Sequence, residues 1–185
     1  TKWFYFSSMV GNSYITLEKL SKYAKDHNIK IAFNPSNYLA EKGYHYLQEI
    51  LNNTELLILN KEESMLLAGR GNIDKIILKL MTYGPKQVVL TDGKHGAYTI
   101  HGKKLYKVIP NKIKVVETTG AGDAFASTFL AGIIKNKNIK ECLTMASVNA
   151  ESVVQTRGAK NGLLTKRKLT NSINKSKPQF EIRNI

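Results

Sequence analysis

Short β-branched runs alternate along this chain with amphipathic stretches, and the connections between them are brief. The runs lie near 3–7, 29–33, 55–59, 86–91 and 112–116, and the helical patterns near 13–27, 41–52, 61–69, 73–83, 123–135 and 139–155. Parallel strands need a crossover, and a helix supplies it, so strict alternation predicts an α/β chain with a mostly parallel sheet covered on both faces. Residues 98–100 and 105–109, joined across His101-Gly102-Lys103-Lys104, read as an antiparallel hairpin at one edge.

The segment Thr118-Thr-Gly-Ala-Gly-Asp-Ala-Phe125 follows the extended run Lys112–Val116 and enters an apolar stretch that ends at Ile134. A strand, a glycine turn and a buried helix in that order form an anion-binding device. The first amides of a helix lack intrahelical partners and sit at the positive end of its dipole. Gly120 and Gly122 allow a ligand to approach the backbone closely. Asp123 is the odd residue, since a carboxylate repels phosphate unless its task is to take a proton from the attacking group. A cap or charge partner for the helix N-terminus is the other reading of Asp123. No Gly-x-x-x-x-Gly-Lys-Ser/Thr sequence occurs, so the device is not a P-loop.

Residues Glu117-Thr-Thr-Gly-Ala-Gly-Asp123 resemble the C-terminal signature Asp-Thr-x-Gly-Ala-Gly-Asp of the ribokinase (PfkB-type) sugar and nucleoside kinases. Two more motifs of that family stand upstream in the family's order. Asn60-Lys-Glu-Glu63 matches Asn-x-x-Glu after the strand-like Leu56–Leu59, and Thr91-Asp-Gly-Lys-His-Gly96 matches Thr-x-Gly-x-x-Gly after Val88–Leu90.

The resemblance implies a three-layer α/β/α ribokinase-like fold and transfer of the ATP γ-phosphate to a hydroxyl of a sugar, sugar phosphate or nucleoside. Asp123 is then similar to the catalytic base, and the amides of Gly120, Ala121 and Gly122 to the anion hole. Thr118, Thr119, Thr91, Gly93, Gly96 and Gly158 resemble the ATP-binding positions. Asn60 and Glu63 resemble the pair that holds Mg²⁺ through water, which suits an ion that keeps several waters. Each keeps an alternative: Asn60 and Glu63 as a helix cap with a first-turn acid, Gly93 and Gly96 as hairpin glycines, and His95 as an exposed turn residue.

Several positions depart from the family pattern. Glu117 replaces the Asp that often belongs to a monovalent-cation site, and its extra methylene moves the carboxylate, which brings K⁺ activation into question. The family's Asp-Pro-Asn is Asn34-Pro-Ser36 here. Thr156-Arg-Gly158-Ala159 resembles the turn beside nucleotide and cation, but the expected Ser four residues after the glycine is Gly162. The resemblance covers only the C-terminal part of the family domain, residues 1–165, followed by a basic polar tail at 166–185. The substrate-binding half and the lid, through which a homodimer would form, have no counterpart.

Composition adds exclusions. With 42% hydrophobic and 23% charged residues, this is the make-up of an ordinary globular domain. No basic leader with an apolar run and no stretch of membrane-spanning length is present, so a cytoplasmic kinase with no membrane partner is expected. The single cysteine, Cys142, cannot form an internal disulfide and reads as a small buried hydrophobe in a reducing compartment. The four histidines are dispersed without paired metal-ligand spacing. The net charge of +14 is mostly scattered lysine, its one cluster being Lys166-Arg-Lys168 with Lys175 and Lys177. Without interleaved aromatics this argues against nucleic acid and for small anionic ligands such as nucleotides and sugar phosphates.

Overall fold

A computed structural model describes residues 1–176 and 178–185; Lys177 lies outside the described residues. The chain divides into two compact units, 1–91 with Ile185, and 92–184.

The first unit is a parallel sheet with helical crossovers. Its strands are β1 (Trp3–Phe6), β2 (Lys30–Phe33), β3 (Thr54–Asn60) and β4 (Gln87–Thr91), each paired parallel to the next. Ile31–Phe33, Leu56–Leu59 and Val88–Leu90 are buried at every successive position. Consecutive side chains on a strand point to opposite faces, so unbroken burial means that both faces are covered. The covering helices are α1 (Asn12–Asp26), α2 (Asn37–Glu41), α3 (Gly43–Asn52), α4 (Lys61–Ala68) and α5 (Ile73–Thr82). In α1 the buried positions are Tyr14, Leu17, Ser21 and Ala24, one stripe at helical spacing. The helix expected over 41–52 is α3, and the short α2 before it was not expected; the two are separated at Gly43, whose φ of 78° lies in the left-handed region.

In the second unit, β5 (Ala97–His101) and β6 (Lys104–Ile109) form the expected hairpin. Three helices follow, α6 (Ala121–Ile134), α7 (Ile139–Val154) and α8 (Lys166–Lys175). The last strand, β7 (Gln179–Asn184), pairs antiparallel with β6, placing Lys107 opposite Glu181 with their charged atoms 3.0 Å apart. The α6 and α7 helices pack closely at Gly132, where an added Cβ would meet the sulfur of Cys142 at 2.8 Å. Cys142 is fully buried, and burial pushes its thiol up to about 11.

One expectation fails here. Residues 112–116 join no ladder among the described residues. Instead, the Val116 and Glu117 amides donate to the Val154 carbonyl at the end of α7, at 2.7 and 3.2 Å. Asn111 binds both oxygens of Glu151 on α7, through its backbone amide at 3.1 Å and its side chain at 2.9 Å. Val115 and Val116 remain about half exposed, so the β-branched composition reflects an extended strap on a helix. The basic polar tail from residue 166 carries α8 and β7. Neither helix α8 nor strand β7 contains a buried residue, which explains why hydrophobic periodicity did not announce them.

Candidate functional site

In the first unit the candidate residues gather at the carboxyl ends of the parallel strands, where open α/β sheets bind ligands. Asn60 ends β3 and is in register with Thr91, which ends β4. The Thr91 hydroxyl lies 3.5 Å from the Leu59 carbonyl. Asn34, just beyond β2, donates from its side chain to the Ile58 carbonyl at 2.8 Å and accepts from the Tyr5 hydroxyl at 3.3 Å. The acid that the family pattern carries at this loop is thus replaced by an amide that ties three strands together.

Asn60 and Glu63 form a reciprocal capping box on α4. Asn60 Oδ1 accepts from the Glu63 amide and the Glu63 carboxylate accepts from the Asn60 amide, both at 2.8 Å. Glu63 is buried. The helix-cap reading therefore holds as a structural fact. It does not exhaust the chemistry, since a carboxylate offers about four acceptor positions.

In the second unit, Gly120 precedes α6 with a φ of 82°, and an added Cβ would run into the Ala159 carbonyl. That close approach seats the turn of residues 156–162 against the start of the helix. The Ala121 amide donates to the Thr118 carbonyl at 3.2 Å, and the Ala124 amide to the Gly120 carbonyl at 2.9 Å. Between them, the amides of Gly122 and Asp123 have no hydrogen-bond partner among the described residues. Space around Gly122 is open, and the Asp123 side chain is exposed. The helix continues for 14 residues behind these groups, so its dipole favours an anion here. The site thus offers two open amides, one of them a residue later than the sequence pointed to, with a carboxylate alongside.

Glu117 is partly buried and accepts from the Gly158 amide at 2.9 Å. Hydrogen bonds from Gly158 and from the Thr119 side chain hold its carboxyl below the ordinary carboxylate range. This pairing spans 41 residues, and no local pattern signals it. Thr118 and Thr119 are exposed in the turn before α6.

The Thr91–Gly96 motif ends in a closed turn. Asp92 donates its amide to the Gly96 carbonyl at 2.8 Å, and the His95 and Gly96 amides donate back to Asp92 and Gly93. Gly96, at φ 106°, passes so near the Val108 carbonyl that no Cβ fits, whereas Gly93 has open space around it. Gly96 is thus required by backbone packing, while Gly93 and the exposed His95 face outward.

Each unit thus carries its candidate residues on an α/β scaffold, at strand ends in the first and at the start of α6 in the second. The profile of the pfkB family carbohydrate kinases matches residues 4–166, and the chain belongs to that family. It is 32% identical over 133 residues to the uncharacterized sugar kinase of Archaeoglobus fulgidus, an alignment covering 72% of this chain and 53% of that protein. It is 31% identical over 144 residues to the cytidine kinase of Thermococcus kodakarensis, covering 76% and 51%. The chain therefore spans about half the length of these curated relatives. A crystal structure of a candidate ribokinase II from E. coli with ATP and Mg²⁺ superposes with a TM-score of 0.84 at 20% identity, over 95% of this chain and 59% of that one. The likeness shows the expected ribokinase-like α/β fold, a mostly parallel sheet with helices on both sides. Among the described residues no helix is long and apolar enough to cross a membrane.

Proposed function

We propose that the chain is the catalytic part of an ATP-dependent small-molecule kinase acting on a sugar, sugar phosphate or nucleoside. The observation that carries this reading is the start of α6, where two amides without partners stand beside an exposed Asp123. Relatives named as a sugar kinase and a cytidine kinase support the acceptor class, and the ATP and Mg²⁺ complex of the E. coli neighbour supports the donor.

In this mechanism Asp123 accepts the proton of the substrate hydroxyl as its oxygen attacks the γ-phosphorus in line. The new O–P bond forms as the bond to the β-phosphate oxygen breaks, and ADP leaves. The open amides of Gly122 and Asp123 stabilise negative charge on the equatorial oxygens, while the Gly120 turn positions them and the Ala121 amide, expected in the same role, is engaged with the Thr118 carbonyl. Thr118, Thr119, Thr91, Gly93, Gly96 and Gly158 contribute to holding the nucleotide. Asn60 and Glu63 fit a water-mediated hold on Mg²⁺, because their capping box fixes both side chains at the end of β3 and an ion that keeps its waters needs only one or two carboxylates. When bound, Mg²⁺ supplies charge neutralisation across the phosphates.

The test is ADP release by the intact native protein against a panel of sugars and nucleosides, with Asp123→Asn as the comparison. Loss of a general base lowers turnover by roughly 10²–10⁴-fold, with ATP affinity expected to change only a few-fold. Near-normal turnover of Asp123→Asn would rule out this base.

The alternative reading is a nucleotide-binding or regulatory module without turnover. It predicts Mg-ATP binding with no substrate-dependent ADP release.

A further inference from the structure

The carboxylate that opens the signature is already engaged within its own unit. Glu117 Oε2 takes the Gly158 N–H, joining the residue before the α6 turn to the 156–162 turn. Backbone contacts hold the same arrangement. Gly120 abuts Ala159, and the Ser152 hydroxyl donates to the Gly162 carbonyl at 2.7 Å. Gly162 is buried, and a Cβ there would collide with the Thr156 hydroxyl, the Ser152 carbonyl and Val153. The serine hydroxyl that the family pattern places at this position is therefore missing, and the backbone leaves no room to restore it.

A dehydrated monovalent cation needs a ring of oxygen donors. Here one carboxylate oxygen is committed to an amide and the residue-162 hydroxyl is absent, so the donor set does not fit such an ion. The same chemistry suggests what replaced it. A glutamate reaches one methylene further than an aspartate, far enough to grip Gly158 directly.

We infer that Glu117 is a positioning residue that substitutes for a monovalent cation, clasping the 156–162 turn to the start of α6 so that the Gly122 and Asp123 amides donate to nucleotide phosphate without K⁺. This rests on the kinase reading above. A charge-assisted hydrogen bond is among the stronger polar contacts available to a protein. It needs no bound ion to form.

Thermal melting of the nucleotide-free chain, in chloride salts of K⁺, Na⁺ and tetramethylammonium at equal ionic strength, tests the clasp without requiring any variant to fold. The same melting temperature in all three salts is expected. A saturable rise of more than about 3 °C specific to K⁺ would show a bound cation and overturn the inference. Calorimetric titration with Mg-ADP then separates positioning from bulk stability. The unaltered chain should bind equally in all three salts, within about twofold. Glu117→Asp, whose side chain is too short for the clasp, should bind about tenfold more weakly in all three salts. Glu117→Asp binding normally in tetramethylammonium would defeat the argument from reach. If Mg-ADP bound in no salt while melting stayed independent of the cation, the nucleotide reading would fall and the clasp would stand.

Discussion

Single side chains settle what spacing alone left ambiguous. Glycine at 162 looks like a lost serine in the sequence, yet its neighbours leave no volume for one. Gly162→Ser is therefore expected to destabilise the chain by about 1–3 kcal/mol, as overpacking typically does, lowering the melting temperature; an unchanged melt would mean that the 156–162 turn yields freely. Cys142 is the converse case, a reactive residue made inert by its surroundings. With its thiol pushed up to about 11 and its side chain fully buried, it should resist alkylation by iodoacetamide at neutral pH until the chain is denatured. Rapid labelling of the native chain, followed by intact mass, would contradict that placement.

Helix α7 shows how a terminus can be held by one local motif. Asn138 accepts from the Glu141 amide at 3.0 Å, Glu141 accepts from the Asn138 amide at 2.9 Å, and Lys137 adds an ion pair to the same carboxylate. Asn138→Ala is expected to cost about 1 kcal/mol, read as a lower denaturant midpoint. The amide and lysine contacts lower the Glu141 carboxyl from its ordinary 4.5, so its contribution is complete above that value and is lost as pH falls through the lower, folded-state value. In Glu141→Gln that part of the acid-side decline should be missing; an identical pH profile would sink the assignment. The Lys107–Glu181 pair on β6 and β7 is exposed on the glutamate side, and Glu181→Ala should change stability by less than about 1 kcal/mol.

Taken as a whole molecule, the chain carries 28 Lys and Arg against 14 Asp and Glu, a formal net charge of +14. That charge makes weak, non-specific attraction to any polyanion inevitable, so the useful discriminator is its salt dependence. Binding of a labelled DNA duplex should collapse between about 50 and 200 mM salt and show no sequence preference. Sequence-selective binding that persisted at the higher salt would revive nucleic acid as a partner. The expected fold class holds, and the family match over residues 4–166 agrees with the three motifs that first suggested it.

What the sequence determined by itself was local and periodic. Unbroken apolar runs such as Leu56–Leu59 require a strand covered on both faces, the 3.6-residue stripe of α1 requires a helix on one of them, and the glycines before Asp123 require a tight turn into α6. Each of these is encoded within a window of a few residues, so each was legible. Tertiary structure decided the rest. Whether Lys112–Val116 would join a ladder depended on Val154 and Glu151, some 40 residues away, offering its backbone other partners. Whether polar residues 179–184 would form a strand depended on the open side of β6. And whether Glu117 would find a partner outside its own turn depended on Gly158 lying 2.9 Å from its carboxylate. A hydrogen-bond donor or acceptor commits to whichever partner the folded chain brings within about 3 Å, and that distance is set by the packing of the whole unit.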